Sequence, residues 1–133
     1  VRLTSRGEYG MLALIFLARH FQEGFFSAEE IATAQQIPVK FLEQILSHLK
    51  MAKIVQSKKG QHGGYQLTRP PQQISLVEVI RLLDGPLAPS GCVSLYFYSS
   101  TPAEKEVKFV NLLTDIRDYV VHKLENTTLA DVT

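Results

Sequence analysis

A mainly α-helical fold carrying one small β-hairpin follows from three features of the sequence. Apolar residues recur at helical spacing through most of the 133 residues. Two short strand-like runs, 54–57 and 65–68, flank a loop that holds Gly60, Gly63 and Gly64. The pattern Ser/Thr-x-x-acid, which can cap a helix reciprocally, recurs at Ser5 to Glu8, Ser27 to Glu30, Ser75 to Glu78, Thr101 to Glu104 and Thr128 to Asp131.

Taken in order, the first helix is expected from about Gly7 to Phe21, with Met11, Leu14, Ile15, Leu17 and Ala18 on its apolar face and Gly24 beyond its end. A short second helix, Ala28 to Gln35, turns Ile31 and Ala32 inward. The third begins near Pro38. At about 100° per residue, Leu42, Ile45, Leu46 and Leu49 share one face, while Lys40, Glu43, Gln44, Ser47 and His48 fall on the other. The hairpin follows, and then a fourth helix, Leu76 to Leu83, with Val79, Ile80, Leu82 and Leu83 inward, stopping at Asp84-Gly85-Pro86. From Leu87 to Ser100 the periodicity is lost, and the aromatic group Tyr96, Phe97 and Tyr98 reads as a loop with something to bury. Pro102 favours a helix start, and a fifth helix running to about Glu125 would be roughly 36 Å long at 1.5 Å per residue. Its stripe of Phe109, Leu112, Leu113, Ile116, Tyr119, Val120 and Leu124 exceeds what the remaining core can cover, so a second copy of the chain is the expected partner.

Two short helices, a tight connection and a glycine-tipped hairpin, in that order, are the order of a winged helix-turn-helix. The expected organisation is a winged helix-turn-helix over 1–86, an irregular loop over 87–101, and a dimerisation helix with its tail over 102–133. The length suits one compact core rather than two. An apolar fraction of 45% and a mean hydropathy of +0.01 are globular values, and no run approaches the ~20 apolar residues of a bilayer span. Neither a membrane segment nor a signal peptide is expected. The single cysteine, Cys92, excludes an internal disulfide framework and fits the reducing cytoplasm.

Net charge is only +1, but it is unevenly spread. Between residues 37 and 69, Lys40, Lys50, Lys53, Lys58, Lys59 and Arg69 face only Glu43, six cations against one anion and a balance of +5. Residues 102–133 instead carry four cations against six acids. A basic excess confined to one stretch is the footprint of a phosphate-contacting face. The polar outer face of the third helix alone equally describes a solvated surface helix. The hairpin adds two lysines at the base of a projecting loop, for which a plain surface hairpin is the bland alternative. A nucleotide-phosphate cradle fails on order, because no Gly-Lys-Ser/Thr follows and the glycines lead into a strand.

Residues 2 to about 125 resemble the Rrf-two family of bacterial winged-helix transcription regulators, the IscR, NsrR and CymR type. The resemblance rests on Leu3-Thr4-Ser5-Arg6-Gly7-Glu8-Tyr9-Gly10, on Phe41-Leu42-Glu43-Gln44-Ile45-Leu46, and on Lys59-Gly60-Gln61-His62-Gly63-Gly64-Tyr65-Gln66-Leu67. It implies a homodimer formed through residues 102–125, a third helix in the major groove of double-stranded DNA, and a wing in the neighbouring minor groove. Two departures stand out. Lys59 occupies a position where the family usually has arginine, which exchanges a planar fork for a point charge. Cluster-binding members carry three cysteines after the fourth helix, whereas only Cys92 matches here, with Tyr98 and Glu104 at the other two spacings.

One thiolate does not make the usual iron-sulfur site, so no cofactor is expected, with a cluster only as the alternative. Glu8 matches a position from which some members donate a carboxylate across the dimer; its other reading is the capping box with Ser5. Cys92 is open to three readings: inert packing, oxidation, or an unusual ligand. His20, His48, His62 and His122 show no metal-ligand spacing.

The expected function is a homodimeric, sequence-specific transcriptional regulator, a repressor, bound to a pseudo-palindromic site. Base reading falls to Val39, Lys40, Glu43 and Gln44, with Glu43 suited to accept from cytosine. Ser27, Lys50, Lys58, Lys59 and His62 are expected to position the phosphates. The rivals are an iron-sulfur or thiol redox sensor using Cys92, with Glu8, whose output is DNA binding, and a winged helix used for protein association. An enzyme is not expected, because no nucleophile-base constellation stands out.

Overall fold

A computed structural model describes residues 2–133. The elements in chain order are α1 (Ser5–Arg19), α2 (Ala28–Gln35), α3 (Val39–Met51), β1 (Val55–Lys58), β2 (Gly64–Leu67), α4 (Leu76–Asp84) and α5 (Val107–Glu125), with 3-10 turns at Pro71–Gln73, Gly91–Val93, Pro102–Lys105 and Leu129–Val132. The mainly helical fold with one two-stranded antiparallel hairpin is as the sequence predicts.

The start of α1 differs from expectation. Thr4, not Ser5, is the N-cap and accepts from the Gly7 N–H, so the Ser5–Glu8 capping box does not form. The register is set by Asp84 at the end of α4, whose carboxylate accepts from Thr4 N at 3.0 Å and from the Thr4 hydroxyl. A carboxylate at a helix N-terminus also meets the positive end of its dipole.

The Ser27–Glu30 capping box is complete: Ser27 Oγ accepts from Glu30 N and the Glu30 carboxylate accepts from Ser27 N, each at 3.1 Å. α2 ends where Gln36 turns left-handed at φ 57°. Ile37 then drops into the core and Pro38 opens α3, which makes the tight helix-turn-helix connection. Gln35 Nε2 donates to Leu12 O at 2.7 Å and ties α2 to α1.

Leu42, Ile45, Leu46 and Leu49 are all fully buried, as the spacing predicts. At about 2 kcal/mol per buried side chain of this size, the stripe fixes the rotation of α3 and leaves its polar face outward. The strands pair Val55 with Leu67 through to Lys58 with Gly64, one residue displaced from the expected β1 and for β2 one residue earlier. A single further bridge, Phe26 to Tyr65, joins the hairpin to the segment just before α2.

The long fifth helix begins later than expected. Pro102–Lys105 forms a 3-10 turn, Glu106 leaves helical geometry, and α5 proper has 19 residues, about 28 Å. The Thr101–Glu104 cap fails because its carboxylate is used otherwise. The Glu104 carboxylate accepts from the Tyr98 and Ser100 hydroxyls, and the Thr101 hydroxyl is buried without a partner. Ser75 caps α4 through Val77 N rather than through Glu78, which pairs with Arg69.

The expected single stripe of α5 divides in two. Leu113 and Val121 are buried and Leu124 packs on the core, whereas Phe109, Leu112, Ile116 and Tyr119 are exposed. Their spacing of three, four and three residues is a seam suited to a second helix. The aromatic group of the 87–100 loop is not buried as expected; Tyr96, Phe97 and Tyr98 all face outward. One core joins all three expected segments, because the tail returns: Leu129 is fully buried, and Leu129 N donates to Ile74 O at 2.8 Å.

Candidate nucleic-acid interface

With its apolar stripe buried, α3 presents Lys40, Glu43, Gln44 and Ser47 along one open groove. Pro38 supplies no side-chain cap, so the first N–H groups of α3 stay available to acceptors. Val39 is half-buried against the core and offers only an apolar edge. Lys50 lies on the flank of α3 and lines a second groove with Lys53, Gln56, Ser57 and Thr68 at the base of the hairpin. Lys53, at φ 63°, counts in the basic excess of the sequence but is not among the residues expected to position phosphates, and the structure sets it on this face.

The hairpin needs its glycines for close approach. A Cβ on Gly64, at φ 139°, would lie 2.3 Å from the Phe26 carbonyl oxygen, and one on Gly63 would lie 2.1 Å from the Lys58 oxygen. Neither contact is tolerable, so both positions demand glycine. The tip formed by Lys59, Gly60, Gln61 and His62 is exposed. The Lys58 ammonium sits 5.8 Å from the centroid of the Phe25 ring, a cation-π contact that steadies it without neutralising it. Phe25 too was missed, since a partner across the hairpin leaves no periodic signal.

Ser27 stands at the N-terminus of α2, but both its Oγ acceptor and its N–H are committed to the capping box, with Glu29 and Glu30 in the first turn. Those carboxylates oppose an incoming phosphate, and what Ser27 retains is its hydroxyl hydrogen. Glu8 lies exposed in the first turn of α1.

Cys92 sits half-exposed in the Gly91–Val93 turn with Ser90 Oγ 3.4 Å from its sulfur, a hydrogen bond that holds the thiol below its ordinary range. Tyr98 and Glu104 come together, but on each other: the Tyr98 hydroxyl donates to the Glu104 carboxylate, which pushes the phenol pKa up. Among the described residues no group of three or more His, Cys, Asp or Glu side chains could hold a metal ion. This donor set, one thiol beside a hydrogen-bonded phenol and carboxylate, does not fit a cluster held by thiolates. No helix of the described residues is long and apolar enough to cross a membrane.

The geometry agrees with what the chain is similar to. The family model described as Rrf2, iron-dependent transcriptional regulator, matches residues 3–133. The HTH-type transcriptional regulator CymR of Bacillus subtilis is 34% identical over 132 residues, covering 99% of this chain and 89% of the relative. Its solved structure superposes with a TM-score of 0.79 at 33% identity, over 99% of this chain and 95% of that one. The IscR structure from T. potens gives a TM-score of 0.71 at 31% identity, over 99% and 85%. Staphylococcus aureus CymR, solved in an oxidized form, gives 0.71 at 31%, over 99% and 95%. A winged helix-turn-helix with an open polar face on α3 and a glycine-built wing, matched over nearly its whole length by these regulators, belongs to the Rrf2 family of DNA-binding transcription regulators.

Proposed function

We propose that two copies of this chain, joined through α5, bind a pseudo-palindromic stretch of double-stranded DNA in the cytoplasm and repress the adjacent genes. The observation that carries this is the open outer face of α3, where Lys40, Glu43, Gln44 and Ser47 line one groove beside a lysine-bearing hairpin. In this reading Gln44 makes a bidentate contact to adenine, Lys40 donates to guanine and Glu43 accepts from cytosine, while Val39 contributes an apolar edge. Lys50, Lys58, Lys59 and His62 hold phosphates and the Ser27 hydroxyl makes a weaker one. The exposed seam of Phe109, Leu112, Ile116 and Tyr119 supports the two-fold pairing.

Selection of binding sites from random double-stranded DNA, followed by footprinting, tests the proposal. Enrichment of two inverted half-sites whose centres lie about 10 base pairs or a multiple apart is expected. A footprint with no enriched sequence would turn the reading toward a protein-association module.

A second reading is favoured by the Ser90–Cys92 hydrogen bond. Its thiolate can attack a peroxide: a sulfur-oxygen bond forms, the oxygen-oxygen bond breaks, hydroxide leaves, and sulfur is oxidised to sulfenic acid as peroxide is reduced. DNA affinity would then report the oxidation state of Cys92. No cluster enters either reading, because Tyr98 and Glu104 are bonded to each other.

A further inference from the structure

Arg6, in the first turn of α1, donates through Nη2 to Nδ1 of His48 on α3, 42 positions along the chain. A guanidinium has no lone pair to offer, so Nδ1 is the acceptor and the imidazole carries its hydrogen on Nε2. Ion pairs among the described residues are His20–Glu23, Arg69–Glu78 and Arg117–Asp118, which leaves the Arg6 guanidinium without a carboxylate. It is thus a half-buried cation held in place by a neutral ring, with most of its five donors uncommitted.

Its place relative to α3 gives that cation a direction. At 3.6 residues per turn, His48 lies about 80° to one side of Lys40 and Lys50 about 80° to the other. α1 occupies the His48 side, where the Tyr9 ring meets Phe41 edge-on at 5.6 Å. The hairpin occupies the Lys50 side, where Lys50 shares a groove with Lys53, Gln56 and Ser57. An α-helix about 10–12 Å across fills a major groove about 12 Å wide, so its two flanks meet the two phosphate backbones that bound the groove.

From this geometry we infer that Arg6, oriented by His48, is a phosphate-binding residue for the DNA backbone on the α1 side of the major groove, across α3 from the hairpin. The inference rests on the reading of α3 as the groove helix. Lysines on one flank alone would leave the recognition helix free to roll about its axis; Arg6 supplies the second rail. His48 acts through Arg6 as a positioning residue and holds the planar fork toward a phosphate.

Fluorescence titrations of the full chain test this against two duplexes, one selected by the wild type from random DNA and one of unselected sequence, at about 50 to 200 mM salt. Arg6→Ala should weaken both duplexes by about tenfold at the lower salt and make the log-log salt slope shallower by about one. Arg6→Lys should keep the slope while losing part of the affinity. His48→Ala should weaken binding with the slope unchanged, and His48→Gln, whose amide oxygen can accept from Arg6, should recover most of the loss. If Arg6→Ala leaves the slope unchanged, whether affinity holds or falls with the melting temperature, the pair is only a tie between α1 and α3 and the inference is overturned. A wild type that binds neither duplex overturns the underlying reading together with it.

Discussion

Phe26 and Tyr65 exchange both backbone hydrogen bonds, Phe26 N–H to Tyr65 O at 2.9 Å and Tyr65 N–H to Phe26 O at 2.7 Å. This pair ties the hairpin to the residue just before Ser27 and so joins the wing to the helix-turn-helix. It exists because Gly64 lets the two backbones meet. Gly64→Ala should therefore destabilise the fold by about 2 kcal/mol, combining a positive φ with an overlap on backbone. Urea unfolding measures the loss, and stability equal to wild type would show that the hairpin is not anchored there.

The Thr4–Asp84 contact makes a separate prediction at the other end of the domain. Thr4→Ala removes both the cap of α1 and one of two bonds to the carboxylate. Stability should fall by about 1 kcal/mol in urea unfolding, with base preference untouched.

Within the interface, Gln44→Ala and Lys59→Ala should separate by kind. The first should relax preference at one base position of each half-site, at about 1–3 kcal/mol for the lost bidentate pair. The second should weaken all sequences alike and reduce the salt slope by about one. Binding-site selection repeated with each variant checks both, and the reverse outcome would exchange the two roles.

The seam of α5 is testable without DNA. Tyr119 is 72% exposed in the protomer, so Leu112→Asp combined with Tyr119→Asp should leave the fold intact while separating the copies. Sedimentation should show a monomer with unchanged helical content; a persistent dimer would move the interface elsewhere.

Cys92 carries a pH-dependent expectation. Since Ser90 favours the thiolate, alkylation of Cys92 should rise with pH along a curve displaced below that of an ordinary thiol, and Ser90→Ala should move the curve to higher pH. Anaerobically purified protein should carry no stoichiometric iron or sulfide. Iron bound at one cluster per dimer would contradict the donor-set argument.

Much of this was legible in the sequence for definite reasons. The stripe of Leu42, Ile45, Leu46 and Leu49 is local periodicity, and it alone turned Lys40 and Gln44 outward. The wing was legible because Gly63 and Gly64 have no substitute. What could not be read was competition for the same partner at a distance. Ser5–Glu8 and Thr101–Glu104 have the spacing of capping boxes, yet Asp84 recruited Thr4 for the first, while Tyr98 and Ser100 took Glu104 from the second. The Arg6–His48 contact joins elements 42 positions apart and leaves no trace in local pattern. The division of α5 into a buried face and an exposed seam depends on where α4 and the Gly91–Val93 turn pack against it, which no helical projection contains.

Whether the outer face of α3 reads bases while the flanking cations hold phosphates is decided by one competition titration of the wild-type protein. A labelled duplex carrying the selected site is displaced by unlabelled selected or scrambled duplex across a range of salt. Scrambled DNA should compete at least about a thousandfold less well at physiological salt, and both affinities should fall steeply as salt rises. Equal competition by the two duplexes, or affinity that does not change with salt, would contradict that division of roles.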